Sequence, residues 1–211
     1  AGNHNLAIGH QAGDHYTSTV DTTLVGYNAG TAGTTGERNT VVGSHAFIAA
    51  TTAQQNTAVG HGSLNGLTTG YNNTGVGQLA GLQMTTGYAN TAIGQQALYA
   101  VTTGVNNTAL GRNANTTTTT GSSNIVIGEN AQPTSATVSQ QITLGNAHIN
   151  SLRCNVQTIS SLSDGRDKTD VIDLPESLDF INQLRPVKFK WASRDSEQGK
   201  DGLYEHGFIA Q

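Results

Sequence analysis

The sequence predicts a mainly β protein in which a parallel β-solenoid, or β-roll, of nine 17-residue repeats precedes a small α+β unit. Three observations predict it. Glycines recur at one fixed interval, an apolar alternation of period two stands ahead of each of them, and the charge density changes sharply near residue 150.

The repeat comes first, because self-similarity at a fixed period decides the architecture before any local propensity does. Gly9, Gly26, Gly43, Gly60, Gly77, Gly94, Gly111, Gly128 and Gly145 are spaced 17 apart without an insertion. An aliphatic residue stands immediately before each one, from Ile8 and Val25 through Ile93 to Leu144. Four residues ahead of the glycine is an asparagine in seven units (Asn5, Asn39, Asn56, Asn73, Asn90, Asn107, Asn124), with Thr22 and Gln141 in the other two. A small residue follows three positions after it, from Ala12 to Ala131, until His148 breaks the column.

Each unit reads as strand, turn, strand, turn. In Asn90-Thr91-Ala92-Ile93-Gly94, Thr91 and Ile93 share one face and Ala92 takes the other, as in a short β-strand. The glycine permits a positive φ or a close backbone approach, and Thr-Thr-Gly clusters such as Thr85-Thr86-Gly87 supply the second turn. Nine coils at the interstrand spacing give a rod on the order of 43 Å long. A coil offers few sizeable apolar side chains against the entropy of ordering 17 residues, so the rod gains by packing against copies of itself.

Composition narrows the function classes. Only 11% of the 211 residues are charged and 5% are aromatic, with 26 glycines and three prolines, which fits neither an ordinary enzyme core nor collagen. Polar residues interleaved with regularly placed Ile, Val and Leu do not read as a disordered linker. A net charge of −4 offers no basic face, so nucleic acid is not expected as a partner. No run approaches the ~18 apolar residues of a membrane span, so membrane insertion is not expected, and Ala1 to Asp14 lacks the pattern of a signal peptide. The lone Cys154 reads as a buried apolar thiol.

Residues 1–150 hold six of the 24 charged side chains. This divides the chain into a repeat region, 1–150, a connector, 151–162, and a C-terminal unit, 163–211. Six of the chain's seven histidines lie in the repeat region and raise a metal hypothesis, which the register disfavours. His10 and His61 share a column but lie three coils, roughly 14 Å, apart, and the others fall in different columns. Surface or turn histidine is the expectation, with no metal and no cofactor. The asparagine column reads as a hydrogen-bonded ladder along the rod, with an ion site on a threefold axis as the alternative. Gly-Xaa-Gly triplets such as Gly60-His61-Gly62 precede a further coil rather than a helix, so they read as structural and not as phosphate cradles.

The Asn-Thr-Ala-Ile-Gly pattern resembles the head repeats of trimeric autotransporter adhesins, in which three parallel β-rolls pack side by side, and related repeats occur in phage tail fibres. The resemblance spans about residues 3–148 and implies a homotrimer. It names no ligand.

In the C-terminal unit, Leu178, Ile181 and Leu184 fall at helical spacing, Pro186 ends that helix, and Val187-Lys188-Phe189-Lys190-Trp191 alternates as a strand. Gly207-Phe208-Ile209-Ala210-Gln211 starts another element. Ser163-Asp164-Gly165-Arg166-Asp167-Lys168, then Ile181-Asn182-Gln183-Leu184-Arg185-Pro186 and the closing Gly-Phe-Ile-Ala-Gln block, are similar to the self-cleaving intramolecular chaperone domain of phage tailspikes and fibres, best known from endosialidases. The resemblance implies a Ser–Lys dyad that cuts the chain after trimeric folding. It places the nucleophile at Ser163, the base at Lys168 and the scissile bond at Leu162–Ser163, with Asp164 and Arg166 in support. A serine hydroxyl needs such a base, and lysine can serve only when burial lowers its pKa from ~10.4.

These readings make the chain a virion tail-fibre or tailspike segment that attaches to a host receptor or glycan, with a self-acting serine endopeptidase at its end. A bacterial surface adhesin without catalysis is the alternative. A polysaccharide-degrading spike is disfavoured, because glycoside hydrolysis generally uses paired carboxylates and no Asp or Glu lies between Arg38 and Arg112.

Overall fold

A computed structural model describes residues 4–153, 186–189 and 205–208. The chain divides into two compact units, Ala1–Arg153 and Cys154–Gln211.

The first unit is an all-parallel β-solenoid. Its nine strands are β1 (Leu6–Ile8), β2 (Thr23–Val25), β3 (Thr40–Val42), β4 (Thr57–Val59), β5 (Thr74–Val76), β6 (Thr91–Ile93), β7 (Thr108–Leu110), β8 (Ile125–Ile127) and β9 (Ile142–Leu144). They form one sheet in sequence order. Every pair joins equivalent positions of adjacent repeats, as in Thr74↔Thr91, Gly75↔Ala92 and Val76↔Ile93. The 17-residue period is therefore the length of one coil.

The glycine after each strand is required by its neighbour. Gly77 has φ +130°, and a Cβ there would lie 2.6 Å from the carbonyl oxygen of Gly94 in the next coil. No other residue combines that dihedral with that approach. Three further columns take the left-handed conformation with ordinary side chains, one of them four residues after the glycine at Phe47, Leu64, Leu98 and Asn115. Another stands just before the asparagine column, where Asp21, Arg38, Gln55, Asn72, Ala89, Asn106, Ser123 and Gln140 have φ of 53–61°. A third stands two residues after the glycine, at Gln11, Asn28, His45, Leu79, Gln96, Asn113 and Asn130. Left-handed backbone is unfavourable for such residues. Inter-coil backbone bonds hold it in place, as in Arg38 N–H to Val20 O at 2.9 Å and Asn28 N–H to His10 O at 2.9 Å.

These turns correct the expectation of a second strand in each coil. Among the described residues only one isolated parallel bridge, Gln54↔Tyr71, occupies that place. The left-handed residue that follows each such position ends the extended run. The Thr clusters still link coils: Thr34, Thr51, Thr68, Thr85 and Thr102 each donate Oγ1–H to the carbonyl of the equivalent residue one coil on, at 3.0–3.2 Å.

The interior is thin and filled by compensation. The middle residue of the strand faces inward, so Leu24, Val41, Ala58, Ala92, Ala109 and Val126 are buried together with the small column Ala29 to Ala131. Larger side chains come from the turn segments: Phe47, Leu64, Leu67, Met84, Leu98 and Val101 are fully buried. Leu64 occupies space that Gly75 and Gly81 leave free, since a Cβ at either would come within 2.8 Å of its side chain. Coil seven departs from this scheme. Asn115 and Thr118 replace the apolar pair represented by Leu98 and Val101 one coil earlier, and Asn115 Nδ2 and Thr118 Oγ1 are buried without a partner.

The asparagine column is a ladder, as expected. Asn90 illustrates it: its backbone N–H and its Nδ2 donate to Asn73 Oδ1 at 3.0 and 3.2 Å, and Nδ2 also donates to Gly104 O at 2.8 Å. Its own Oδ1 accepts from the N–H and Nδ2 of Asn107 at 3.0 and 3.1 Å. Only a short primary amide supplies both donor and acceptor at that reach. At the ends of the ladder Gln141 keeps the backbone half, donating N–H to Asn124 Oδ1 at 3.0 Å, and Thr22 does the same towards Asn5 Oδ1 at 3.0 Å.

In the second unit β10 (Pro186–Phe189) and β11 (Glu205–Phe208) pair antiparallel, Val187 opposite Gly207 and Lys188 opposite His206. A strand was expected over Val187–Trp191, and the start of a further element, of unspecified type, at Gly207. The helix expected around Leu178–Leu184 and the thiol of Cys154 lie outside the described residues.

Candidate functional site

Three features of the chain carry chemistry that the packing of the solenoid does not use up. The first is the outward face of the sheet. With the middle strand residue turned inward, the two flanking residues must point out. The column before the glycine is aliphatic in all nine coils, and Val42, Ile93, Leu110, Ile127 and Leu144 are 38–54% exposed. The column two residues earlier is threonine in β2 to β7 and aliphatic in β1, β8 and β9, at Leu6, Ile125 and Ile142. A continuous apolar stripe of this length on a polar chain marks an interaction surface.

The second feature is a row of rings beside the strand ends. His10 stacks on Tyr27 with centroids 5.4 Å apart, Tyr27 meets His45 edge-on at 5.2 Å, and His45 meets His61 at 5.7 Å. Column register alone separates His45 from His10 and His61. The left-handed turn at His45 brings its ring into line with residues one position earlier in neighbouring coils. Four coils thus share one ring row, which the spacing of histidines did not reveal. Elsewhere His4 contacts Asp21 at 3.2 Å and His15 Nδ1 contacts Thr31 O at 2.8 Å. Among the described residues no group of three or more His, Cys, Asp or Glu side chains could hold a metal ion.

Tyr16 is the one described group with a resolved shift in acidity. Its ring lies over Gly33, where a Cβ would fall 2.0 Å from the ring, and burial pushes its pKa up to about 12. This is a packing effect rather than a catalytic one. Two concavities lie at the first and last coils, one lined by Asn5, Leu6, Tyr16 and Leu24 and the other by Gly128, Asn146 and Ile149.

The third feature is the C-terminal unit. Leu162, Ser163, Asp164, Arg166 and Lys168 lie outside the described residues, so the structure gives no distance between the serine and the lysine. What it describes there is the β10–β11 ladder, formed from the Pro-Val-Lys-Phe block and the residues that lead into the closing Gly-Phe-Ile-Ala-Gln block. Sequence comparison is decisive here. Residues 163–211 match the family model described as the chaperone of endosialidase. The match begins on Ser163, runs to the last residue of the chain and includes both strands of the ladder. It supports an intramolecular chaperone role for this unit and, with it, an association with trimeric assembly. Neither a curated protein nor a solved structure matches the chain.

Proposed function

We propose that the chain is a segment of a homotrimeric virion tail fibre or tailspike: residues 1–150 form the shaft or head, residues 151–162 connect, and residues 163–211 act as an intramolecular chaperone. One observation carries the reading, the match of residues 163–211 to the chaperone of endosialidase directly behind a solenoid. A solenoid alone suits a fibre and a bacterial adhesin equally. The chaperone match favours the fibre. A host-cell receptor or glycan is then the partner the shaft addresses, and the ring row beside the strand ends offers exposed surface for it.

The chemistry proposed for the second unit is a single self-cleavage. Ser163 Oγ attacks the carbonyl carbon of Leu162 while neutral Lys168 takes the hydroxyl proton. The C–N bond breaks as the nitrogen of Ser163 accepts a proton, which leaves an ester on Oγ. Water then hydrolyses the ester, giving a carboxylate at Leu162 and a free amine at Ser163. Asp164 and Arg166 would set the local field, with Arg166 drawing the carboxylates away from Lys168 so that its pKa can fall.

Mass spectrometry of freshly expressed full-length protein tests this. A fragment beginning at Ser163, lost on Ser163→Ala, is the expected result. An intact chain in a trimer carrying Ser163 and Lys168 overturns the cleavage step.

A further inference from the structure

The ring row beside the strand ends brings together two imidazoles that sequence register keeps apart. His45 stands two residues after its glycine and His61 one residue after its own. The left-handed turn at His45, φ 56°, removes that offset, and the two ring centroids lie 5.7 Å apart. A zinc-type ion sits ~2.1 Å from an imidazole nitrogen and so roughly 3.2 Å from the centre of the ring. Two rings that share it have centres between ~5.2 Å apart, at the tetrahedral angle, and ~6.4 Å apart, with the ion on the line between them. The spacing of His45 and His61 falls inside that window. Among the described residues no other two histidines are in ring contact.

The two rings differ in freedom. His45 is held from two sides: Tyr27 meets it edge-on at 5.2 Å, and its Nδ1 lies 2.9 Å from Ser44 Oγ. When Nδ1–H donates to that hydroxyl, Nε2 carries the lone pair. A hydrogen bond on the far nitrogen is how proteins orient a histidine that binds a metal. His61 is exposed, so its ring can turn a nitrogen towards the same point.

We propose that His45 and His61 form a surface site for one divalent transition ion, with one imidazole from each of two adjacent coils and Ser44 as the positioning residue of His45. The chain has no Asp, Glu, Lys or Arg between Arg38 and Arg112, and among the described residues no third His, Cys, Asp or Glu joins the pair. Solvent fills the other positions. Such a site takes ions that accept imidazole, Zn²⁺, Cu²⁺ or Ni²⁺, ahead of the hard cations Mg²⁺ and Ca²⁺. The two nitrogens converge only in the folded coils, so the ion clips coil three to coil four and holds those layers against local opening.

The test titrates Zn²⁺ into the full chain by calorimetry, in a Cys154→Ser background that removes the thiol as a competing ligand. His45→Asn and His61→Asn should each weaken binding roughly tenfold or more. Asparagine tolerates the left-handed backbone at position 45, so the coil is retained. His10→Asn removes a ring of the row that lies outside the pair, and it should bind as the parent does. Ser44→Ala should weaken binding about tenfold with the stoichiometry still one ion per chain. Zn²⁺ should also slow amide exchange in coils three and four of the parent and leave His45→Asn and His61→Asn unchanged. A parent that binds no Zn²⁺ overturns the proposal, and so does Zn²⁺ bound equally well by the parent and by either of those two variants. Loss of binding in His10→Asn overturns the assignment to two histidines.

Discussion

Replacing Asn90 by alanine isolates the asparagine ladder from everything else in the coil. The side chain takes part in four hydrogen bonds with nitrogen and oxygen partners, Nδ2 to Asn73 Oδ1 and to Gly104 O, and Oδ1 from the N–H and Nδ2 of Asn107, and in a longer one from Nδ2 to Met84 Sδ at 3.7 Å. Two of the four nitrogen and oxygen partners keep another bond. Asn73 Oδ1 still accepts from the backbone N–H of residue 90, and Asn107 Nδ2 still donates to Gly121 O at 2.9 Å. The other two, the carbonyl of Gly104 and the backbone N–H of Asn107, belong to buried residues and have no substitute. A buried group left unsatisfied costs about 1–3 kcal/mol, so Asn90→Ala should cost about 2–6 kcal/mol per chain. Repeat arrays open locally, so the effect is best read by hydrogen exchange. Amides in coils five to seven should lose protection in Asn90→Ala, with the Asn107 amide among the most affected. Gln95→Ala is the control: it removes an exposed bond to Gln78 and should stay within about 0.5 kcal/mol of the parent. If the two variants exchange alike, the ladder is ornamental and the reasoning fails.

Other outcomes follow from the same structure. Gly77→Ala should cost more than about 3 kcal/mol, because its φ of +130° and the 2.6 Å approach to Gly94 O leave no room for a methyl group; thermal unfolding measures the loss. Asn115→Leu with Thr118→Val should raise the unfolding midpoint, since it removes two unpaired buried atoms and restores the pair found at Leu98 and Val101, whose backbone at Leu98 is left-handed like that at Asn115. Tyr16 contributes a pH dependence of definite sign. Its folded pKa of about 12 lies above the unfolded 10.0, so the stability it confers is complete below pH 10 and is lost as pH rises from 10 to about 12. Tyr16→Phe should flatten a denaturant titration in that window. Lys168→Met should abolish release of the fragment beginning at Ser163 while the three-chain assembly persists, as read by mass spectrometry and light scattering on the same sample.

What the sequence disclosed follows from how each column is used. Gly77 touches Gly94 and Asn90 bonds Asn73 and Asn107, so these positions demand their own kind in the next coil and the demand appears as a repeating letter. The left-handed columns do not. Arg38, Gln55 and Ala89 share a backbone conformation that inter-coil hydrogen bonds enforce, and side-chain identity is free to vary. For that reason a second strand was expected where turns stand, and the ring contacts of His45 with Tyr27 and His61 left no mark in the sequence. The alternation Thr91, Ala92, Ile93 showed two faces without showing which was inward. The structure turns the middle residue inward, Ala92 beside Ala109 as Leu24, Val41 and Val126 are elsewhere, with glycines and small residues in neighbouring segments making the room the larger ones need. Ser163 and Lys168 gained meaning only from several sequence blocks in order, because a serine and a lysine five apart are common at any charged turn.

The central claim is that the C-terminal unit assembles three copies of this chain, and the molar mass of the full-length particle tests it most directly. Light scattering after size-exclusion chromatography should give three times the 21.9 kDa of the chain, less whatever self-cleavage releases. A particle that stays at 21.9 kDa over the accessible concentration range would contradict the account.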